Sequence, residues 1–157
     1  MTAPVSVRPV RPSDAPRWAA MRHALWPDET LAAHAAEIAA FFAGTQAEPQ
    51  GVLVAEASYL GEAPEAVGFA ELSLRAYAEG CETSPVGYLE GWYVVPAWRR
   101  RGVLTRLLSA VGRWCEEREL GEMRLHNAPD NEGASSAWEA LGFRAVEVLR
   151  VRRVGDG

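Results

Sequence analysis

Apolar and polar positions along the chain change period several times, and each change predicts an element. VSVRPV, from Val5 to Val10, alternates as a first strand. Trp18, Met21 and Leu25 then recur three and four residues apart, with Ser13 and Asp14 as cap-type residues ahead of them, which predicts a helix ending near Trp26 and Pro27. Leu31, Ala35, Ile38 and Phe42 continue the helical spacing as a second helix that runs from about Asp28 to Gly44. GVLVAEA and VGFAELSLR read as two strands joined by the turn-rich LGEAPEA, and after a loop around EGCETSP a third follows in VGYLEGWYVV. Strands in such direct succession predict an antiparallel meander. Val103, Leu107, Val111 and Trp114, widened by Leu104, Leu108 and Cys115, form the apolar stripe of a long helix that should bury one face on the sheet. A short strand EMRLHN, a helix from about Asn131 to Leu141 stopped at Gly142, and a last strand AVEVLRVRR complete the order.

A length of 157 residues suits one domain spanning 1–157, with a single sizeable core. The net charge of -5 argues against a nucleic-acid surface and favours a cationic partner. Apolar runs stay well short of a membrane span, and MTAPVSVRPVRP carries no apolar block behind its charges, so no secretory signal and a cytoplasmic location are expected. Cys81 and Cys115 form no CxxC pair, and His23, His34 and His126 show no metal-ligand spacing; neither a disulfide nor a metal site is expected.

The segment YVVPAWRRRGVLTRLL is the most chemically suggestive. A strand ends near Val95, Pro96 turns the chain, and Gly102 stands where the next helix begins. A helix N-terminus offers unpaired N–H groups and partial positive charge, and a residue lacking Cβ lets a phosphate approach them. The competing reading is a solvated basic turn that needs glycine only for its conformation.

VVPAWRRRGVL resembles the acyl-CoA signature of the GCN5-related N-acetyltransferases, V-x-P-x-x-R/Q-x-x-G-x-G/A, in all but its last small residue, and DNEGASSAWEALGF is similar to that family's downstream segment. The resemblance implies an α/β (α+β) fold with a central mixed, mostly antiparallel twisted sheet flanked by helices, and acetyl-CoA as co-substrate. It implies cofactor contacts at Trp92, Val94, Val95, Arg100, Arg101, Gly102, Val103, Leu104 and Asn131. MRHALWP, GFAELSLRAYAEGC, SPV and YLEGWYVVPAWRRRGV are similar to the aminoglycoside 6'-N-acetyltransferase branch in particular. That likeness implies that Trp26 and Tyr77 border the acceptor site, that Glu90 faces the amines of a small cationic substrate, and that subunits pair as a homodimer through terminal strands.

Several residues support these roles or strain them. Period-two geometry puts Tyr88, Glu90 and Trp92 on one face of their strand, where a carboxylate between aromatics calls for a partner. Acyl transfer needs the acceptor amine deprotonated and a fixed donor for the thioester oxygen, the latter expected from a backbone N–H between Trp92 and Val94, exposed by a bulge at Gly91. The branch carries an aspartate where this chain has His126, whose ordinary pKa of about 6.5 suits it as the replacement base. Trp138 stands where relatives place a tyrosine or histidine, and an indole cannot protonate the leaving thiolate. Leu104 replaces the small residue beside the pyrophosphate and would crowd it if turned that way. Transfer to another amine (a polyamine, a peptide or a small metabolite), a cation-binding module with weak or no catalysis, and a basic interaction turn are the alternatives.

Overall fold

The computed structural model of the chain describes residues 4–59, 61–126 and 138–145. Strand β1 (Val5–Pro9) leads through a 3-10 turn at Pro12–Asp14 into helices α1 (Ala15–Leu25) and α2 (Leu31–Ala43). Strands β2 (Gly51–Ala57), β3 (Glu65–Arg75) and β4 (Val86–Val94) follow, then a second 3-10 turn at Pro96–Trp98, helix α3 (Val103–Glu117) and the short β5 (Met123–Leu125). Sheet order is β1-β2-β3-β4-β5; the first three junctions are antiparallel and β5 lies parallel to β4. The expected meander and the mixed, mostly antiparallel sheet are both present.

Alternation along the strands splits the core between the two sheet faces. Leu53, Ala55, Leu72 and Leu89 pack with Leu107, Val111 and Trp114 of α3, while Val54 and Phe69 pack with Trp18, Met21 and Ile38 of α1 and α2. Each fully buried leucine, valine or isoleucine contributes about 1.5–3 kcal/mol, so the α3 stripe alone anchors that helix firmly. Helix α2 is capped at both ends: Thr30 Oγ1 accepts from the Ala33 N–H at 3.1 Å, and Gly44 ends it in the left-handed region at φ 72°.

Three expectations need correction or limits. Ser13 and Asp14 do not cap α1 with their side chains; Asp14 instead accepts from Arg8 Nη1 at 2.8 Å, Arg8 Nη2 at 2.9 Å and the Arg11 N–H at 2.7 Å, tying β1 to the turn. Those contacts, Arg8 first, hold its carboxyl below the usual range. Asn131, the first part of the expected helix and nearly all of the expected final strand lie outside the described residues; within them, a helical turn at 138–140 buries Trp138 against Trp92, ring centroids 4.9 Å apart. Cys81 and Cys115 are free, and among the described residues no helix is long and apolar enough to cross a membrane.

Candidate acetyl-transfer site

Two features meet at β4: a turn at its C-terminal end and a cavity against its middle. After Trp98 the backbone enters the left-handed region twice, at Arg100 (φ 62°) and Gly102 (φ 81°), before α3 starts. A Cβ built on Gly102 meets nothing within 4 Å, so the glycine serves backbone conformation and open approach rather than packing. The Arg106 N–H, bonded to the Gly102 carbonyl at 3.1 Å, opens the helical ladder, which leaves the N–H groups of Val103, Leu104 and Thr105 as the helix's orphan donors. Donors converging at a positive helix end fit a diphosphate.

The three arginines divide the work. Arg99 donates to the Val94 carbonyl at 2.9 Å and covers Tyr93, Arg101 lies over Trp98, and Arg100 is exposed. Leu104 packs half-buried against the α3-side core.

On the other sheet face a cavity of about 290 Å³ opens between α1, α2 and strands β3 and β4. Glu29, Glu37, Glu48, Glu71 and Glu90 line it, with Arg22, Trp26, His34 and Ser73. A β-bulge builds this wall: Glu71 pairs with Gly91 and Leu72 with Leu89, so Glu90 is the extra residue of β4. The bulge turns Glu90 into the cavity but also resets the alternation. Trp92 consequently packs with the α3-side core against Trp138 and does not share the face of Glu90, contrary to the simple period-two expectation.

Trp26 turns the Cζ2–Cη2 edge of its ring against the bulge. A Cβ on Gly91 would sit 2.5 Å from its Cη2 and 2.6 Å from its Cζ2, so only glycine permits this contact. His34, fully buried, donates from Nε2 to the Trp26 carbonyl at 3.0 Å and holds the loop that carries the indole. Arg22 crosses the cavity floor, donating from Nε to Glu71 at 3.1 Å and from Nη1 to Glu37 at 2.7 Å, with its guanidinium 5.2 Å from the Trp26 centroid. Glu71 is 2% exposed. Burial pushes its carboxyl up to about 7, against the opposing pull of Arg22. Donor atoms of Glu29, His34 and Glu37 come within 4.8 Å of one another; Glu37 is also held by Arg22 and His34 Nε2 by a carbonyl, while His34 Nδ1 is buried with no partner among the described residues.

The edge of β4 beyond β5 carries the remaining chemistry. Parallel pairing runs from Gly87 to Leu89 opposite Met123 to Leu125. The Val95 N–H bonds to the Val67 carbonyl at 2.9 Å, so by antiparallel alternation the N–H groups of Trp92 and Val94 face away from β3, toward the side where described β5 has ended. These are the donors expected for a thioester oxygen.

Of the sequence-predicted residues, Trp26 and Glu90 meet in the cavity, and Trp92, Val94, Val95, Arg100, Arg101, Gly102, Val103 and Leu104 gather along β4 and the turn. Tyr77 is 72% exposed and does not line the cavity. His126 is exposed one residue beyond Leu125, at the level of Glu90 on the neighbouring strand, and also lies outside the cavity lining. Sequence reasoning missed Arg22, Glu71, Ser73 and Arg75. Their signal was available: Glu71, Ser73 and Arg75 are the polar positions of ELSLR, alternating with leucines.

The chain belongs to the acetyltransferase (GNAT) family, whose model matches residues 18–143. A Klebsiella aerogenes protein named aminoglycoside N(6')-acetyltransferase type 1 is 44% identical over 147 residues, covering 94% of each chain. A protein of the same name from Stenotrophomonas maltophilia is 36% identical and covers 90% of this chain and 88% of its own. The solved structure of aminoglycoside N-acetyltransferase AAC(6')-Iy with a bisubstrate analog, CoA-S-monomethyl-acetylneamine, superposes with a TM-score of 0.79 at 32% identity, covering 96% of this chain and 97% of that one.

Proposed function

We propose that the chain transfers an acetyl group from acetyl-CoA to the 6'-amine of an aminoglycoside. The observation that carries this reading is a cavity walled by five carboxylates, opening beside the strand edge whose N–H groups adjoin the α3 turn. Aminoglycosides are polycationic amino sugars, and a cavity of about 290 Å³ suits one amino-sugar ring with the rest of the molecule projecting outward. The similarity to proteins named for this activity supports the same assignment.

Acetyl-CoA supplies an activated thioester carbonyl; the chain's own residues do the rest. The N–H groups of Val103, Leu104 and Thr105, with Arg100 nearby, hold the diphosphate end. Trp92 or Val94 N–H stabilises negative charge on the carbonyl oxygen. Trp26 and Glu90 orient the incoming ammonium, and the wall carboxylates Glu29 and Glu48 hold the ring's other charges. The attacking amine must first lose a proton, and His126, at the strand end beside Glu90, receives it through solvent; Trp138, whose indole N–H is buried with no partner among the described residues, cannot give up that proton to the departing thiolate.

This reading takes residues 1–157 as one acetyltransferase domain in the cytoplasm, paired as a homodimer and with no nucleic-acid partner. Transfer to another polycationic amine is the second reading, since the carboxylate wall selects charge before shape. Thiol release from acetyl-CoA in the presence of tobramycin, run beside an aminoglycoside bearing a 6'-hydroxyl, tests the assignment. Release with tobramycin alone is expected; release with neither, together with release by a polyamine, would replace it with the second reading.

A further inference from the structure

Glu90 already holds a cation in the free protein. Arg75, the last residue of β3, donates from Nη2 to Oε1 at 2.7 Å and to Oε2 at 3.0 Å, and from Nε to Oε1 at 3.2 Å. Both oxygens of the carboxylate assigned above to the acceptor amine are therefore occupied from within. The guanidinium also lies over the Tyr88 ring, 3.8 Å from its centroid.

The arginine that lines the cavity provides the comparison. Arg22 has a side chain only 10% exposed, lies between Glu71 and Glu37 and is covered by Trp18 and Trp26, so it belongs to the floor. Arg75 has a side chain 42% exposed and its Glu90 partner is 26% exposed, at the rim where solvent reaches both. An exposed pair of this kind is held weakly and exchanges without disturbing the core. Tyr88 supplies a resting face, because a guanidinium stacked on a ring keeps that attraction after giving up its carboxylate.

We propose that Arg75 is a specificity element, an internal competitor that occupies Glu90 until an acceptor ammonium displaces it from the carboxylate and leaves it held by the face of Tyr88 alone. An acceptor with a single amine must compete with Arg75 for its only strong anchor. A polycationic acceptor draws the difference from the remaining wall carboxylates and outcompetes it. Arg75 therefore filters acceptors by charge number. This rests on the reading of the cavity as the acceptor-amine site.

Titration calorimetry on four proteins tests it: wild type, Arg75→Gln, Glu90→Gln and the double variant, each with tobramycin and with glucosamine as a one-amine probe. Arg75→Gln is expected to tighten tobramycin by roughly two- to five-fold, the scale of an exposed ion pair, and glucosamine by at least as much. Both gains should vanish in the Glu90→Gln background, because the competition runs through that carboxylate. Weaker binding on Arg75→Gln alone would overturn the proposal and make Arg75 a support for Glu90. An equal gain with and without Glu90 would also overturn it, leaving only a general field effect of removing positive charge. If Glu90→Gln leaves tobramycin affinity unchanged, or none of the four proteins binds it, the acceptor-site reading falls and the proposal falls with it.

Discussion

Replacing Gly91 with alanine tests how the acceptor cavity is built. The new Cβ would stand 2.5 and 2.6 Å from two atoms of the Trp26 ring, whereas carbon atoms meet comfortably near 3.5 Å, so the indole must recede by about 1 Å. The backbone offers no escape, because Gly91 is the bulge's second residue and pairs with Glu71. The ring cannot move freely either: it stacks on His34, meets Phe69 edge-on and carries Arg22 on its face. Overpacking of this kind costs about 1–3 kcal/mol, or roughly 2–4 °C of melting temperature per kcal/mol for a chain of this size. Displacing the indole also tilts the acceptor wall, so KM for tobramycin should rise while KM for acetyl-CoA stays near its original value; about 1.4 kcal/mol of lost acceptor binding is tenfold. Melting curves and two-substrate kinetics read both effects. In a Trp26→Leu background the stability cost of Gly91→Ala should shrink, because the atoms it strikes are gone. An equal cost in both backgrounds would refute the reasoning.

Other consequences follow from the same geometry. Glu71 is raised to about 7 from an ordinary 4.5, so the folded state keeps a proton that the unfolded chain releases; its contribution is complete below about pH 4.5 and is lost as pH rises through about 7. Urea unfolding at pH 5 and pH 8 should accordingly show Glu71→Gln gaining stability relative to wild type at the higher pH, and a difference independent of pH would contradict this. Gly102→Ala meets no atom yet must hold φ near 81°, which costs about 1–2 kcal/mol and should lower the melting temperature, with Gly102→Asn milder; unchanged melting for the alanine variant would show that the turn relaxes.

Most of the fold was legible because its elements are amphipathic with clear periods. The α3 stripe, the glycine stop of α2 and the strands of the meander all appear where spacing put them. The misread positions share a cause: long-range partners overrode a local pattern. Asp14 looks like a cap in sequence, but its carboxylate is taken by Arg8 six residues earlier and by the Arg11 N–H. Trp92 looks like a neighbour of Glu90 until a bulge adds a residue and sends it to the other face. Glu90 itself was readable as a carboxylate among aromatics, whereas Arg75 as its partner was not, since the contact depends on the register of β3 against β4. Arg22 sits four residues from both Trp18 and Trp26, a spacing that marks one helix face but does not announce a buried ion pair with Glu71.

The central claim is that the amine enters the cavity under Trp26 while the acetyl donor is held at the α3 turn. A nitrogen-15 spectrum of the tryptophan indoles, recorded while tobramycin is titrated into the protein without coenzyme, tests it most directly. The account predicts that the Trp26 signal shifts and that those of Trp98 and Trp114, on the other side of the sheet, do not. Saturable shifts that spare Trp26 would put the acceptor elsewhere and contradict the account.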